Sequence, residues 1–127
     1  MLKKFSYIYS KEGGFQRLAD METSRAWHGC ALFGGDVWVG GGNAGHGDTA
    51  STEVFSLTSH AWQAGPDLPV DTLGGQMVVH EDLLIYLGGW FNKDIFKLED
   101  QEWIKAGEMK TERSEFTLVK WNSNICT

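Results

Sequence analysis

Proline, cysteine and positive charge are all scarce in this sequence. Of 127 residues, two are Pro and two are Cys, and 11 Lys and Arg face 17 Asp and Glu, a formal charge of -6. A small disulfide scaffold uses more cysteine than Cys30 and Cys126, which read instead as half-buried apolar thiols with no metal-ligand spacing. The acidic balance, with Lys3-Lys4 the sole basic pair, excludes a nucleic-acid or anionic-membrane surface, because phosphate binding needs clustered cations. No apolar run nears the roughly 18 residues that cross a bilayer. The stretch Phe5 to Tyr9 is too short for a signal peptide. With no address of its own, the chain reads as cytoplasmic or as cut from something longer. A sustained 3.6-residue apolar period is also missing, so essentially no helix is expected.

Glycine and tryptophan are in excess: 16 Gly and six Trp, in a chain that is 42% hydrophobic and 22% charged. That is the composition of a folded domain with many tight turns between short strands.

The excess is periodic. Trp62 opens WQAGPDL and Trp103 opens WIKAGEM; Phe15 opens FQRLADM in the same frame, at spacings of 47 and 41 residues. Ile8, Phe55 and Phe96 correspond upstream. Downstream, Met21, Leu68 and Met109 correspond, and so do Arg25, Thr72 and Arg113. The glycine run of VWVGGG (37–42) matches LIYLGG (84–89), and the spacing difference places an insertion at NAGHGDT, in a loop. Each unit reads as four short strands. They are Trp27 to Phe33, Asp36 to Gly40, Ser51 to Leu57 and Ala61 to Ala64 in the first. In the second they are Gln76 to His80, Leu83 to Leu87, Asp94 to Leu98 and Glu102 to Ala106. Tight hairpins join them at Gly34-Gly35, Glu81-Asp82 and Asn122-Ser123, and Gly and Asn there tolerate positive φ.

A repeat of this length, with a glycine doublet (Gly41-Gly42, Gly88-Gly89), a following Trp (Trp62, Trp103) and Met-x-x-x-Arg openings (Met21 to Arg25, Met109 to Arg113), resembles the kelch repeat over nearly the whole chain. Phe15 for Trp, Thr72 for Arg and the absence of a glycine doublet after Ile125 depart from the pattern. The resemblance implies an all-β chain of kelch-type β-propeller blades, each a four-stranded antiparallel sheet. Aromatics would fill the spaces between blades, and the doublet would end the second strand at the crowded axis. Closed propellers have about 4–8 blades. Here residues 1–20 read as the last two strands of a preceding blade, 21–67 and 68–108 as two repeats, and 109–127 as the first two strands of a truncated following blade. The expectation is an incomplete, open arc of about three blades' worth with exposed edges. It also admits a head-to-tail homodimer closing a six-bladed ring by two-fold symmetry.

Several apparent chemistries lack their context. Gly40 to Gly45 satisfies G-x-G-x-x-G, but loop and strand follow where a dinucleotide site needs a helix. His46 stands where a P-loop requires Lys. The four His show no metal spacing, and His28 and His80 read as hydrogen-bonded structural residues, with His60 exposed in a turn. No nucleophile elbow occurs. No cofactor, metal or catalytic residue is assigned, and the chain is not expected to be an enzyme.

Strand parity puts the second-to-third loops and the blade-to-blade connections on one face, and only tight hairpins on the other. Partner contacts are expected on the loop face, from Arg25, Asn43, His46, Asp48, Asp71, Trp90, Phe91, Asn92, Lys93 and Arg113. Trp90 and Phe91 are the anchors, being aromatics where polar residues belong. Arg25 and Arg113 serve equally well to bind carbonyls of their own loops. The reading is a non-catalytic protein-binding module. The resemblance to BTB-kelch adaptors suggests a substrate receptor of a ubiquitin ligase, and other kelch proteins bind actin or act as scaffolds. The alternatives are a piece of a kelch-type oxidase or sugar-acid isomerase, or a shortened product with no independent function.

Overall fold

The computed structural model describes residues 6–121 and 124–126. Those residues form twelve strands and no helix: β1 (Tyr7–Ser10), β2 (Gly14–Arg17), β3 (Gly29–Phe33), β4 (Asp36–Gly40), β5 (Thr52–Ser56), β6 (Ala61–Ala64), β7 (Gln76–His80), β8 (Leu83–Leu87), β9 (Asp94–Glu99), β10 (Glu102–Glu108), β11 (Val119–Trp121) and β12 (Asn124–Cys126). They make two complete antiparallel sheets, β3-β4-β5-β6 and β7-β8-β9-β10, flanked by the pairs β1-β2 and β11-β12. The strand segments read from apolar runs and turn residues are the strands that form. The first begins at Gly29 and not at Trp27, whose φ of 54° breaks an extended backbone.

The hairpins follow from backbone handedness. Gly34-Gly35, Glu81-Asp82 and Asp100-Gln101 are two-residue turns in which both residues have positive φ. That conformation matches the right-handed twist of the strands it joins. Glycine meets it freely in the first; in the other two, side chains are held there by the register on either side.

Alternation sets the faces. In the second sheet, Met77, Leu84, Tyr86, Phe96, Leu98 and Trp103 point toward the first sheet and are buried against Trp38 and Val54 of its opposing face. This interface is the main core. Trp103 meets Trp38 edge-on, with ring centroids 6.4 Å apart. The opposite face of the first sheet turns Phe55 and Trp62 toward β1-β2, and Phe55 is fully enclosed. Trp62 and Trp103 occupy like surroundings: the Trp62 Nε1–H donates to Ala19 O at 2.7 Å, and the Trp103 Nε1–H donates to Pro66 O at 3.0 Å. Ala19 and Pro66 are themselves repeat equivalents, so each indole reaches back to the segment closing the preceding sheet.

The glycine doublets leave no room for a side chain, and the backbone atoms that crowd them belong to the inter-sheet connections. A Cβ on Gly41 would come 2.9 Å from Thr72 O, and one on Gly88 would come 2.7 Å from Arg113 O. The second glycine of each doublet stitches the same junction, through Gly42 N–H to Thr72 O at 2.7 Å and Gly89 N–H to Arg113 O at 2.8 Å. Cys30 and Cys126 are free and exposed, not half-buried; Cys30 lies on a part of β3 that β1-β2 does not reach.

Candidate functional site

The β4–β5 and β8–β9 loops bond directly to the connections between sheets. Ala26 and Asn43 exchange backbone hydrogen bonds, Thr49 bridges to Thr72, and Trp90 N–H donates to Leu73 O at 2.9 Å. These segments therefore share one face, as strand parity requires. Three equivalent residues, two positions after Arg25, Thr72 and Arg113, mark its inner part: Trp27, Gly74 and Glu115, with φ of 54°, 77° and 52°. Gly74 N–H donates to Trp27 O and Glu115 N–H to Gly74 O, each at 2.8 Å, so successive units are tied by one repeated bond. Between them lies a 210 Å³ cleft lined by Trp27, His28, Gly74, Gly75, Glu115 and Phe116, among others. A neighbouring cleft of the same size is lined by Gly89, Trp90, Phe91, Glu112, Arg113 and Ser114.

Trp90 and Phe91 project from this face, 52% and 86% exposed, edge-to-face at 6.2 Å. Neither folds back against a sheet. Trp27 adds a third aromatic, 55% exposed. Arg113 and Glu115 are exposed beside them. Trp27 and Glu115 were not singled out from the sequence. The signal was present: a position held by Gly in one repeat and by a large residue in the next marks a left-handed backbone that turns its side chain out of the strand.

Arg25 does not belong to this surface. It is 1% exposed. Its Nη1–H donates to Gly41 O at 2.8 Å and Ser51 O at 3.0 Å, and its Nη2–H to Ser51 Oγ at 3.1 Å and Glu53 Oε2 at 2.7 Å. Glu53 also accepts from the backbone N–H of Glu22 and Thr23. Arg25 thus takes the carbonyl-binding role and is withdrawn from contact. Thr72 does the same with a shorter reach, its hydroxyl donating to Gly88 O at 3.3 Å, the equivalent of Gly41 O. Two Asn side chains are also engaged within their own loops. Asn43 Oδ1 accepts from Gly45 N–H, and Asn92 bonds Gly88 O and Asp94 N–H. Lys93 pairs with Glu108 at 3.0 Å. His46, Asp48 and Asp71 are exposed on the loops, apart from the Trp90–Phe91–Arg113 group.

Buried polar groups cluster just beneath. Burial, then the Arg25 guanidinium, lowers the His28 pKa, against an opposing pull from Glu53. Burial pushes the Tyr86 phenol up to about 12; Thr72, the Gly75 backbone and Arg25 oppose the shift, though no hydrogen bond to the hydroxyl is completed. His28 Nδ1 and His80 Nδ1 have no hydrogen-bond partner, contrary to the expectation for both rings. A larger cleft of 470 Å³ between the 19–23 connection and β5-β6 holds Asp20, Glu22, Glu53 and Asp67. Arg17 already engages Asp20, and Arg25 engages Glu53. Among the described residues no three His, Cys, Asp or Glu converge as metal ligands would, and no helix is long and apolar enough to cross a membrane.

Four-stranded antiparallel sheets leaning on one another through repeated indoles and glycine doublets make an arc of propeller blades, similar to those of the kelch repeat. Two of the relatives it matches are named for that repeat. It is 28% identical over 89 residues to Kelch-like protein 40 of Mus musculus, covering 70% of this chain and 14% of that protein. Kelch-like protein 41b of Danio rerio is 29% identical over 99 residues, 78% of this chain and 16% of that protein. Beta-scruin of Limulus polyphemus is 27% identical over 96 residues, 75% and 10% respectively. The match thus spans a sixth or less of each relative's length. No family model matches the chain. A solved structure titled "Structure of YjhT" superposes with a TM-score of 0.83 at 16% identity, covering 96% of this chain and 50% of that one.

Proposed function

We propose that the chain is a non-catalytic protein-binding module whose contact surface is the loop face around Trp27, Trp90, Phe91, Arg113 and Glu115. The observation that carries this reading is the group of three exposed aromatics beside an Arg and a Glu, on segments pinned to one another by backbone hydrogen bonds. Rigid aromatics give large contact area at little cost in side-chain entropy, and with Arg they dominate protein interfaces. The role of substrate receptor for a ubiquitin ligase rests on resemblance to BTB-kelch adaptors, and the loop-face reading does not depend on it.

The test is a peptide ligand selected against the 127-residue chain from a random display library. Its binding should fall at least tenfold on Trp27→Ala and on Trp90→Ala, and stay unchanged on Asp100→Asn, at a hairpin tip of the opposite face. Ligands that lose affinity only on the hairpin-face change would contradict the assignment.

A further inference from the structure

The two ends of the arc are uncovered in a complementary way. Phe15 is 79% exposed, whereas its repeat equivalent Trp103 is 4% exposed; Tyr9, which pairs with Phe15 as Phe55 pairs with Trp62, is 64% exposed, where Phe55 is fully enclosed. Leu32 is 62% exposed, yet its equivalent Val79 packs on the core. The difference has one cause. Phe15 and Tyr9 belong to β1-β2, the third and fourth strands of a sheet whose first and second are not beside them. Cys30 and Leu32 lie on the part of the first sheet that those two strands would cover. At the other end, β11-β12 is a first-and-second pair, and β12 has a free edge, as does β1.

We propose that two copies of this chain join head to tail, β12 of each pairing antiparallel with β1 of the other, so that two half-sheets complete each other at two equivalent junctions. Three observations favour a second copy as the occupant. The missing pair at one end is the pair present at the other. The arc accounts for half of the structurally similar chain, so two arcs of this curvature make up one such chain. Closure by a two-fold axis also removes both free edges at once.

The register follows from the complete sheets. The β4–β5 ladder sets Val37 against Phe55 and Trp38 against Val54. Trp121↔Asn124 matches Phe33↔Asp36 across the hairpin, so Ile125 stands for Val37 and Cys126 for Trp38. Tyr9 pairs with Phe15 as Phe55 pairs with Trp62, so Ile125 falls opposite Tyr9 of the second copy, and Cys126 opposite its Ile8.

Opposed residues in such a ladder have Cα atoms about 4.5–5.5 Å apart, within reach of a disulfide. In a Cys30→Ser background, Ile8→Cys should therefore form covalent dimers with native Cys126 under mild oxidation, and Tyr7→Cys, facing the other way, should form far fewer. Light scattering of the unmodified 127-residue chain should give twice the single-chain mass. Phe15→Asp, which disturbs only a ring contact with Tyr9 in its own chain, should return the mass to one chain with the β-sheet circular dichroism unchanged. A single-chain mass for the unmodified protein, open-ended larger species, equal cross-linking from positions 7 and 8, or a Phe15→Asp dimer would each overturn the proposal. It is independent of the loop-face reading.

Discussion

Arg25→Ala should be among the most damaging single changes in the chain. The guanidinium is enclosed, with its side chain 0% exposed and that of Glu53 5% exposed. Alanine removes four hydrogen bonds and leaves the Glu53 carboxylate held only by the N–H groups of Glu22 and Thr23. Breaking a buried ion pair from one side costs about 3–5 kcal/mol, because the surviving charge stays desolvated. A domain has about 5–15 kcal/mol in total, so the variant should lose about a fifth of its stability at the least. The second repeat supplies an internal comparison. There Thr72 replaces Arg25 and Asp94 replaces Glu53, and Asp94 has turned to Lys105 at 2.9 Å. Where one member of the pair is gone, the other is gone too. Arg25→Ala/Glu53→Ala should accordingly be less destabilised than the two single variants added together, by about 1–3 kcal/mol. Urea titration followed by tryptophan fluorescence reads both, provided the slope is unchanged between variants. A loss below about 1 kcal/mol for Arg25→Ala, or strict additivity in the double variant, would refute the buried-pair account.

Trp90→Ala should weaken partner binding and leave Tm within about 1 °C, since the ring is 52% exposed and lies outside the buried core; a large drop in Tm would make it a packing residue. Gly89→Ala should cost about 2 kcal/mol or more by thermal denaturation, because its φ is 116° and a Cβ would strike Thr72. Tyr86 is held neutral up to about pH 12 in the fold but ionises near pH 10 when unfolded. Its contribution is intact below pH 10 and is lost as pH rises from 10 to about 12, a fall of about 2–3 kcal/mol. Tyr86→Phe should flatten that fall. For His28 the folded pKa is lowered, so the stability it supports is present above about pH 6.5 and declines as pH falls below it; His28→Gln should shallow that acid limb.

Most of the fold was legible because it is written in local terms. Val37 to Gly40 and Leu84 to Leu87 are apolar runs of strand length, and Gly34-Gly35 declares its turn by composition. The equivalence of Trp62 and Trp103 was legible through the AG that follows each. What escaped depends on partners distant in sequence. Arg25 looks like a surface cation until Glu53, 28 residues on, is placed against it. Asn43 and Asn92 look available until their own loops close around them. Trp27 looked like the start of a strand because a side chain's identity does not report its φ; only alignment with Gly74 does. The exposure of Cys30 is likewise a property of what stands beside the sheet, which no local pattern encodes.

The backward reach of the indoles gives the arc a direction. Trp62 closes on Ala19 and Trp103 on Pro66, so each of these indoles anchors its sheet on chain made earlier. During synthesis each newly emerged unit finds its acceptor already in place. Growth can therefore proceed like masonry, course upon course from the amino end, with the latest layer always the one awaiting cover.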